Sequence, residues 1–134
     1  MDLFDPRTIA TPVYERLSQL RSQTNSNDTL QQQRKQAVEL YTYLSTWGLL
    51  RLKAEEMALN QEGKKQEGKK QVVKQYFQCL ETLADVQGLS GEGGLKTLKN
   101  LPVDDYLGLT GLGLAIALEF SFWATAVYAD VKGE

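Results

Sequence analysis

The stretch that decides the fold is GLTGLGLAIALEFSFWATAVYAD, residues 108–130, near the end of a chain of 134 residues. Before its closing Asp130 it contains one acidic side chain, Glu119, among residues that are otherwise apolar or small. Asp104 and Asp105 precede it, and acidic residues favour the first turn of a helix because of the helix dipole. The stretch therefore predicts a long apolar helix over about 103–130.

Such a helix can lie in a bilayer, in a protein core or against a partner protein. About 20 residues suffice to span a bilayer. Glu119 lies near the middle of the stretch, however, where a carboxylate costs about 3 kcal/mol on insertion scales. We therefore expect no membrane span, but a core helix that keeps part of its surface for a neighbouring subunit. The row predicted to face the bundle is Ile116, Phe120, Trp123 and Val127. The row predicted to form the subunit interface is Leu114, Leu118, Ser121 and Thr125.

The rest of the chain predicts three further helices. Thr11 and Pro12 suit the N-cap and first position of a helix over about 12–22. Apolar residues spaced by three and four predict a central helix over about 29–59 and another over about 69–87. Between these lies the tandem repeat QEGKKQEGKK, residues 61–70, which offers little to bury and predicts a mobile loop over 61–68. The predicted fold is all-α, a single-domain bundle of four main helices.

The composition argues against catalysis. The chain contains no histidine, which is the usual general base and the commonest metal ligand. Cys79 is its one cysteine, so neither an internal disulfide nor a cysteine metal cluster is expected. We expect no enzyme, no cofactor and no metal. The N-terminus lacks the basic and apolar regions of a signal peptide, which predicts a cytoplasmic protein.

The charges are distributed unevenly along the chain. Residues 31–99 contain eleven Lys and Arg against eight Asp and Glu, whereas residues 100–134 contain five acids and one lysine. Clustered basic residues are typical of surfaces that contact phosphates without reading sequence, although they also serve simply as solubilising charge. The residues predicted to contact nucleic acid are Arg51, Lys53, Lys64, Lys65, Lys69, Lys70 and Lys74.

Two stretches resemble a known family. One is WGLLRLKAEEMAL, residues 47–59, and the other is DDYLGLTGLGLAIALEFSFWATAV, residues 104–127. In the second, a Tyr-x-x-Leu-Thr pattern precedes an aromatic-Ala pattern, carried by Tyr106, Leu109, Thr110, Ala117, Trp123 and Ala124. Together they are similar to the small, all-helical subunit of class 1 CRISPR effector complexes, of the type III kind. The family's last helix tends to carry basic residues near its end, where this chain has Phe120, Ser121 and Phe122.

The resemblance implies a non-catalytic subunit of a ribonucleoprotein complex for antiviral defence. Its partners would be other subunits, copies of itself, guide RNA, and target RNA or DNA, held by sequence-independent backbone contacts. Two alternatives remain open at this point. One is a helical adaptor that binds protein without nucleic acid, and the other is a membrane-associated accessory protein.

Overall fold

The computed structural model describes residues 5–61 and 63–131, and this part of the chain is helical without any β-strand. Helices account for 81% of it, which confirms the all-α prediction. These two ranges contain six α-helices and one 3₁₀ turn, at Gly63–Gln66. The α-helices are α1 (Arg7–Ser22), α2 (Asn27–Trp47), α3 (Leu49–Asn60), α4 (Glu67–Ala84), α5 (Gly94–Asn100) and α6 (Val103–Val127).

The central helix predicted over 29–59 is two helices, α2 and α3, because Gly48 breaks it. Gly48 adopts φ +87°, a conformation that residues with a side chain rarely reach. Its amide still donates to the Leu44 carbonyl (2.9 Å), so it ends α2 and begins α3. The apolar row is interrupted at this point. Leu44 is buried, whereas Leu50, which continues the same spacing, is 38% exposed. With α5 in the glycine-rich connector, the helix count becomes six rather than four.

The other predicted helix ends shift by a few residues. α1 begins at Arg7 rather than near residue 12, so Pro12 lies inside the helix. The extra turn is held by Asp5, whose carboxylate accepts a hydrogen bond from the Arg7 amide (3.0 Å). α4 stops at Ala84 because Asp85 adopts a left-handed φ of 55°. α6 ends at Val127, three residues before the predicted end at 130.

The duplicated segment predicted as a loop is helical from Gly63 onward, while residue 62 lies outside the described part of the chain. Its second glycine, Gly68, is buried against α2, where its amide donates to Gln32 Oε1 (2.8 Å). Gln32 in turn donates to the Lys65 carbonyl (2.9 Å). A Cβ at Gly68 would overlap the Thr29 carbonyl oxygen, so this close approach requires glycine. The repeat therefore docks on α2 through one of its two glycines.

α6 forms the centre of the bundle, in contact with α1, α2 and α4, while α3 packs against α4 and α5 packs against α3. Of the row predicted to face the bundle, Ile116 and Phe120 are fully buried. Trp123 and Val127 are partly buried and pack against the same core. The hydroxyl of Tyr76 on α4 donates to the Gly113 carbonyl of α6 (2.8 Å), which joins the two helices in the interior. The inner face of α6 therefore matches the prediction.

Glu81 anchors the connector between α4 and α5. Its carboxylate accepts hydrogen bonds from the amides of Gly88 (2.7 Å) and Leu89 (2.9 Å) and from the Ser90 hydroxyl (2.9 Å). Burial raises the pKa of Glu81, but these hydrogen bonds outweigh that effect and hold the pKa below its ordinary value. A carboxyl with a lowered folded-state pKa stabilises the fold above its unfolded-state pKa, and this stabilisation is lost as pH falls through the folded-state pKa.

We therefore expect Glu81→Gln to lower the free energy of unfolding at pH 7 by about 1–2 kcal/mol. The difference from the native chain should shrink as pH falls below the ordinary glutamate pKa of about 4.3, because the unfolded state then takes up a proton that the folded state binds less readily. Urea unfolding at pH 7 and pH 3.5 measures both values. Glu92→Gln, at an exposed position of the same connector, is the control. An equal loss at both pH values would contradict the role of the ionised carboxylate.

Candidate functional site

A polar groove of about 1090 Å³ lies between α3 and α4 and is bordered by residues 90–92 of the connector. We call it the α3–α4 groove. Among the predicted nucleic-acid residues, Lys70 and Lys74 line it from α4, four residues apart and therefore on one helix face. Side-chain amides also line its α4 wall, from Gln71, Gln75 and Gln78. Glu56, Glu67 and Glu92 also line the groove, so its lysines are balanced by carboxylates and its lining is polar and of mixed charge.

Lys53 also borders the groove but is buried, with only 1% of its surface exposed. Its Nζ lies 2.6 Å from Glu56 Oε1 and 4.5 Å from the centre of the Phe77 ring. A Cβ at Gly94 would overlap Lys53 Cε, so α5 closes over the lysine stem. Because its charge is already neutralised inside the fold, Lys53 does not belong to a phosphate-contacting surface. Its prediction as a nucleic-acid residue is corrected on this ground.

Arg51 lies elsewhere, beside the break between α2 and α3. Its guanidinium stacks over the Trp47 ring, 4.0 Å from the ring centre, and Trp47 is 52% exposed. Nearby, the Tyr43 hydroxyl donates to Glu55 Oε2 (3.0 Å). The sequence predicts one continuous helix over about 29–59 and does not pair Trp47 with Arg51, so the sequence interpretation missed this exposed cation–aromatic pair. The i, i+4 spacing of Trp47 and Arg51 was the available signal.

The remaining lysines surround the start of α4. Lys65 is exposed, Lys69 is partly buried, and the side chain of Lys64 lies outside the described atoms. Lys70 pairs with Glu67 Oε2 at 3.3 Å, a partly exposed ion pair. The structure therefore gathers Lys65, Lys69, Lys70 and Lys74 at one end of α4 and separates them from Arg51. Neither Lys69 nor Lys65 lines the groove.

The outward side of α6 is apolar and open. The large apolar residues of α6 that are most exposed, with their exposed fractions, are Val103 (70%), Leu107 (62%), Phe122 (59%) and Leu118 (50%). Exposed residues repeat along it at alternating spacings of three and four. We call this set the outer row; it comprises Asp104, Gly108, Gly111, Ala115, Leu118, Phe122, Thr125 and Ala129.

The predicted interface row is only half exposed. Leu118 and Thr125 belong to the outer row, whereas Leu114 is partly buried and packs against the core. Ser121 contacts α2, since its hydroxyl donates to the Ala37 carbonyl (3.1 Å) and accepts from the Tyr41 amide (3.2 Å). Ser121 therefore contacts α2 of the same chain. For Leu114 and Ser121 the prediction of an open interface position is wrong, because the flanking helix covers that edge of α6.

Reactive chemistry has little support among the described side chains. They contain no group of His, Cys, Asp or Glu that could hold a metal ion. Cys79 is buried, and burial raises the pKa of its thiol to about 11, so it is an inert thiol at neutral pH. Glu119, the one acid inside α6, accepts a hydrogen bond from Trp123 Nε1 (3.1 Å). The burial of Cys79 and the hydrogen bond to Glu119 explain how these two side chains pack.

Within the described residues, α6 is also the one helix long and apolar enough to cross a membrane. A third of its most apolar stretch is buried inside the protein. Core helices of soluble proteins share this length and composition. Comparison with protein-family models, with curated proteins and with solved structures finds no match to the chain.

Proposed function

We propose that this chain is a non-catalytic small subunit of a class 1 CRISPR ribonucleoprotein effector complex. It would stack against neighbouring subunits and hold guide–target nucleic acid by backbone contacts. The observation that carries the proposal is the apolar outer side of α6. Exposed apolar side chains gathered on one side of a helix are typical of a protein–protein or membrane interaction site.

α6 both holds the bundle together and presents the apolar outer side. The inner face of α6 anchors α1, α2 and α4, so its outer face is held on a rigid scaffold of long helices. Rigid presentation lowers the entropy that an interface must lose on binding. Tyr14 and Tyr41 flank this face and are 46% and 37% exposed, and aromatic residues are enriched at binding hot spots. The arrangement suits a subunit held in place by its neighbours.

The nucleic-acid part of the proposal rests on the α3–α4 groove and the resemblance of residues 47–59 and 104–127. Lys70 and Lys74 line the groove and would contact phosphates, and the glutamine amides would bond to phosphate or sugar oxygens. With Lys53 inside the fold and Lys70 sharing Glu67, the available charge is modest. The lone subunit should therefore bind nucleic acid weakly.

That modest charge also favours the second candidate, a helical adaptor that binds only protein. Purification of the tagged chain from its native host distinguishes the two. We expect recovery of several different subunits together with a guide RNA of defined length. A protein assembly that contains no RNA would support the adaptor and contradict the proposal. Recovery only from the detergent-extracted membrane fraction would contradict both and support a membrane-associated protein.

A lysine swap tests the groove itself. We expect Lys70→Glu with Lys74→Glu to weaken binding of single-stranded RNA for all sequences alike. Each lost phosphate contact should lower the steepness of the log–log salt dependence by about 0.7, so the pair should remove about 1.4. Fluorescence anisotropy across a salt series measures this slope.

The control is Lys96→Glu with Lys99→Glu, the same charge change on exposed residues of α5 that do not line this groove. The control pair should leave the slope closer to that of the native chain than the groove pair does. If both pairs reduce binding equally, net charge rather than the groove explains the effect.

A further inference from the structure

We propose that the outer row of α6 pairs with the same row of a second copy of this chain, antiparallel and related by a two-fold axis. This inference rests on the proposed role of the outer side of α6 as an interface. Before the chain joins a larger complex, a second copy would cover that side. A symmetric pairing of this kind uses one surface patch twice.

Two glycines in the row have no explanation within the chain. Gly108 and Gly111 are exposed, and a Cβ added to either would meet nothing within 4 Å. Glycine inside a helix costs about 1 kcal/mol relative to alanine. Neither the packing of this chain nor its helix propensity therefore accounts for them. Small residues on one helix face do allow the backbone of a second helix to approach closely.

The order of large and small residues selects the antiparallel direction. The alternating spacings of three and four form a coiled-coil seam. If two rows run antiparallel about a centre between Ala115 and Leu118, these two residues lie opposite each other across the axis. The next layer then sets Phe122 against Gly111, and the one after sets Thr125 against Gly108. Every layer joins a larger residue to a smaller one, which gives even packing.

A parallel pair would instead place Phe122 against Phe122 and Gly111 against Gly111. The layer with two Phe122 side chains would be overfilled, and the layer with two Gly111 residues would leave a gap. The two helices would then lie farther apart at the Phe122 end than at the Gly111 end. Size complementarity within one row is thus satisfied by its own antiparallel copy.

The charges agree with the antiparallel direction. The outer row is uncharged from Gly108 to Ala129, and α6 contains no basic residue. Antiparallel pairing brings Asp104 opposite Ala129 of the second copy, beside Arg21, which already pairs there with Asp130. Parallel pairing would bring Asp104 and Asp105 against the same acids of the second copy. The acidic end of the row therefore meets an ion pair without net charge, rather than two more acids.

The area predicts a weak dimer. At 1.5 Å per residue, α6 is about 38 Å long, and a strip about 10 Å wide covers about 400 Å² on each copy. Stable specific interfaces bury about 800 Å² per partner. We therefore expect a dimer that forms at high protein concentration and separates on dilution, so that another subunit can take its place.

Cysteine cross-linking tests the register, with the buried Cys79 left in place. Gly108→Cys and Thr125→Cys are single variants at exposed positions that lie opposite each other in the proposed register. Each of these positions is 17 residues, about 25 Å along the helix, from the same position of the second copy. An equimolar mixture treated with a short bis-maleimide should therefore give much more cross-linked dimer than either variant alone. Ala115→Cys mixed with Thr125→Cys, about 10 Å out of register along the helix, is the control. Equal yields in all samples, or stronger cross-linking of each variant with itself, would overturn the antiparallel pairing.

Sedimentation of the full chain over a concentration series tests the dimer itself. Gly111→Leu should overfill the layer that contains Phe122 and raise the dissociation constant about tenfold or more. Gly93→Leu, the same change at another open position, should leave it unchanged. A monomer at all concentrations that instead binds neutral lipid vesicles would overturn the inference. The proposed function is tested separately by its guide RNA and partner subunits.

Discussion

Replacing Gln33 with leucine is expected to lower the free energy of unfolding by about 2–4 kcal/mol. Gln33 is fully buried, which is rare for a glutamine, and it joins three parts of the bundle. Its Nε2 donates to Thr24 Oγ1 (2.9 Å) and to Gln71 Oε1 (2.7 Å). Its Oε1 accepts from the Tyr128 hydroxyl (2.7 Å).

Leucine has a similar size, so the loss comes from unsatisfied partners rather than from a cavity. The fully buried Tyr128 hydroxyl would lose its acceptor, Gln33 Oε1, and the side-chain oxygen Oε1 of Gln71 would lose its donor, Gln33 Nε2. Thr24 would retain its own bond to the Leu20 carbonyl (2.8 Å). The unsatisfied buried hydroxyl of Tyr128 costs about 1–3 kcal/mol, and Gln71, which lines the groove where water can replace part of the lost bond, adds about 1 kcal/mol.

Urea unfolding followed by circular dichroism measures this change. Gln36→Leu, the same substitution on α2 at a partly exposed position, should change the stability by less than about 0.5 kcal/mol. Tyr128→Phe removes the hydroxyl alone and should have a smaller effect than Gln33→Leu. An unchanged unfolding midpoint for Gln33→Leu would show that the buried network does not stabilise the fold.

Gly68→Ala is expected to destabilise the protein by about 2–3 kcal/mol, although alanine favours helix by about 1 kcal/mol over glycine. The added Cβ would overlap the Thr29 carbonyl oxygen and lie 2.6 Å from Gln32 Cβ. The first obstacle is backbone, which cannot turn aside as a flexible side chain can. The start of α4 must therefore move away from α2, and the hydrogen bond from the Gly68 amide to Gln32 would weaken.

The matched control variant is expected to change the stability in the opposite direction. Gly108→Ala makes the same substitution in a helix where nothing lies within 4 Å of the new Cβ. At protein concentrations low enough to keep the chain monomeric, it should stabilise the fold by up to about 1 kcal/mol. Thermal unfolding of both variants gives the comparison. If Gly68→Ala also stabilises the protein, the repeat does not dock on α2 as described.

The sequence determined the helical class and the inner face of α6. Apolar residues at spacings of three and four specify one side of a helix, whatever lies against it. Ile116 and Phe120 could therefore be assigned to the core without the structure. The exposed part of the predicted interface, Leu118 and Thr125, followed from the same periodicity. Periodicity tells which residues share one side of a helix. Whether these four residues are buried or exposed follows mainly from the side of α6 on which they lie.

The packing of other helices decided the rest. Ser121 lies on the same helix side as Leu118, but α2 covers it, and only the tertiary structure shows how wide a covered face is. A lysine has a long apolar stem, so Lys53 can be buried once Glu56 supplies a counter-charge and Phe77 an aromatic surface. Nothing local in the sequence distinguishes it from the exposed Lys74.

The glycines show the same division. Gly48 breaks a helix, Gly68 docks on another helix, and Gly111 lies on an open surface, all within segments that are otherwise helical. The neighbouring residues in the sequence do not show which of these roles each glycine has. Glycine tolerates many backbone conformations, and it has no side chain whose polarity would indicate a buried or an exposed position. The space that a missing Cβ leaves is filled, or left open, by elements distant in the chain. That space is a property of the tertiary structure alone.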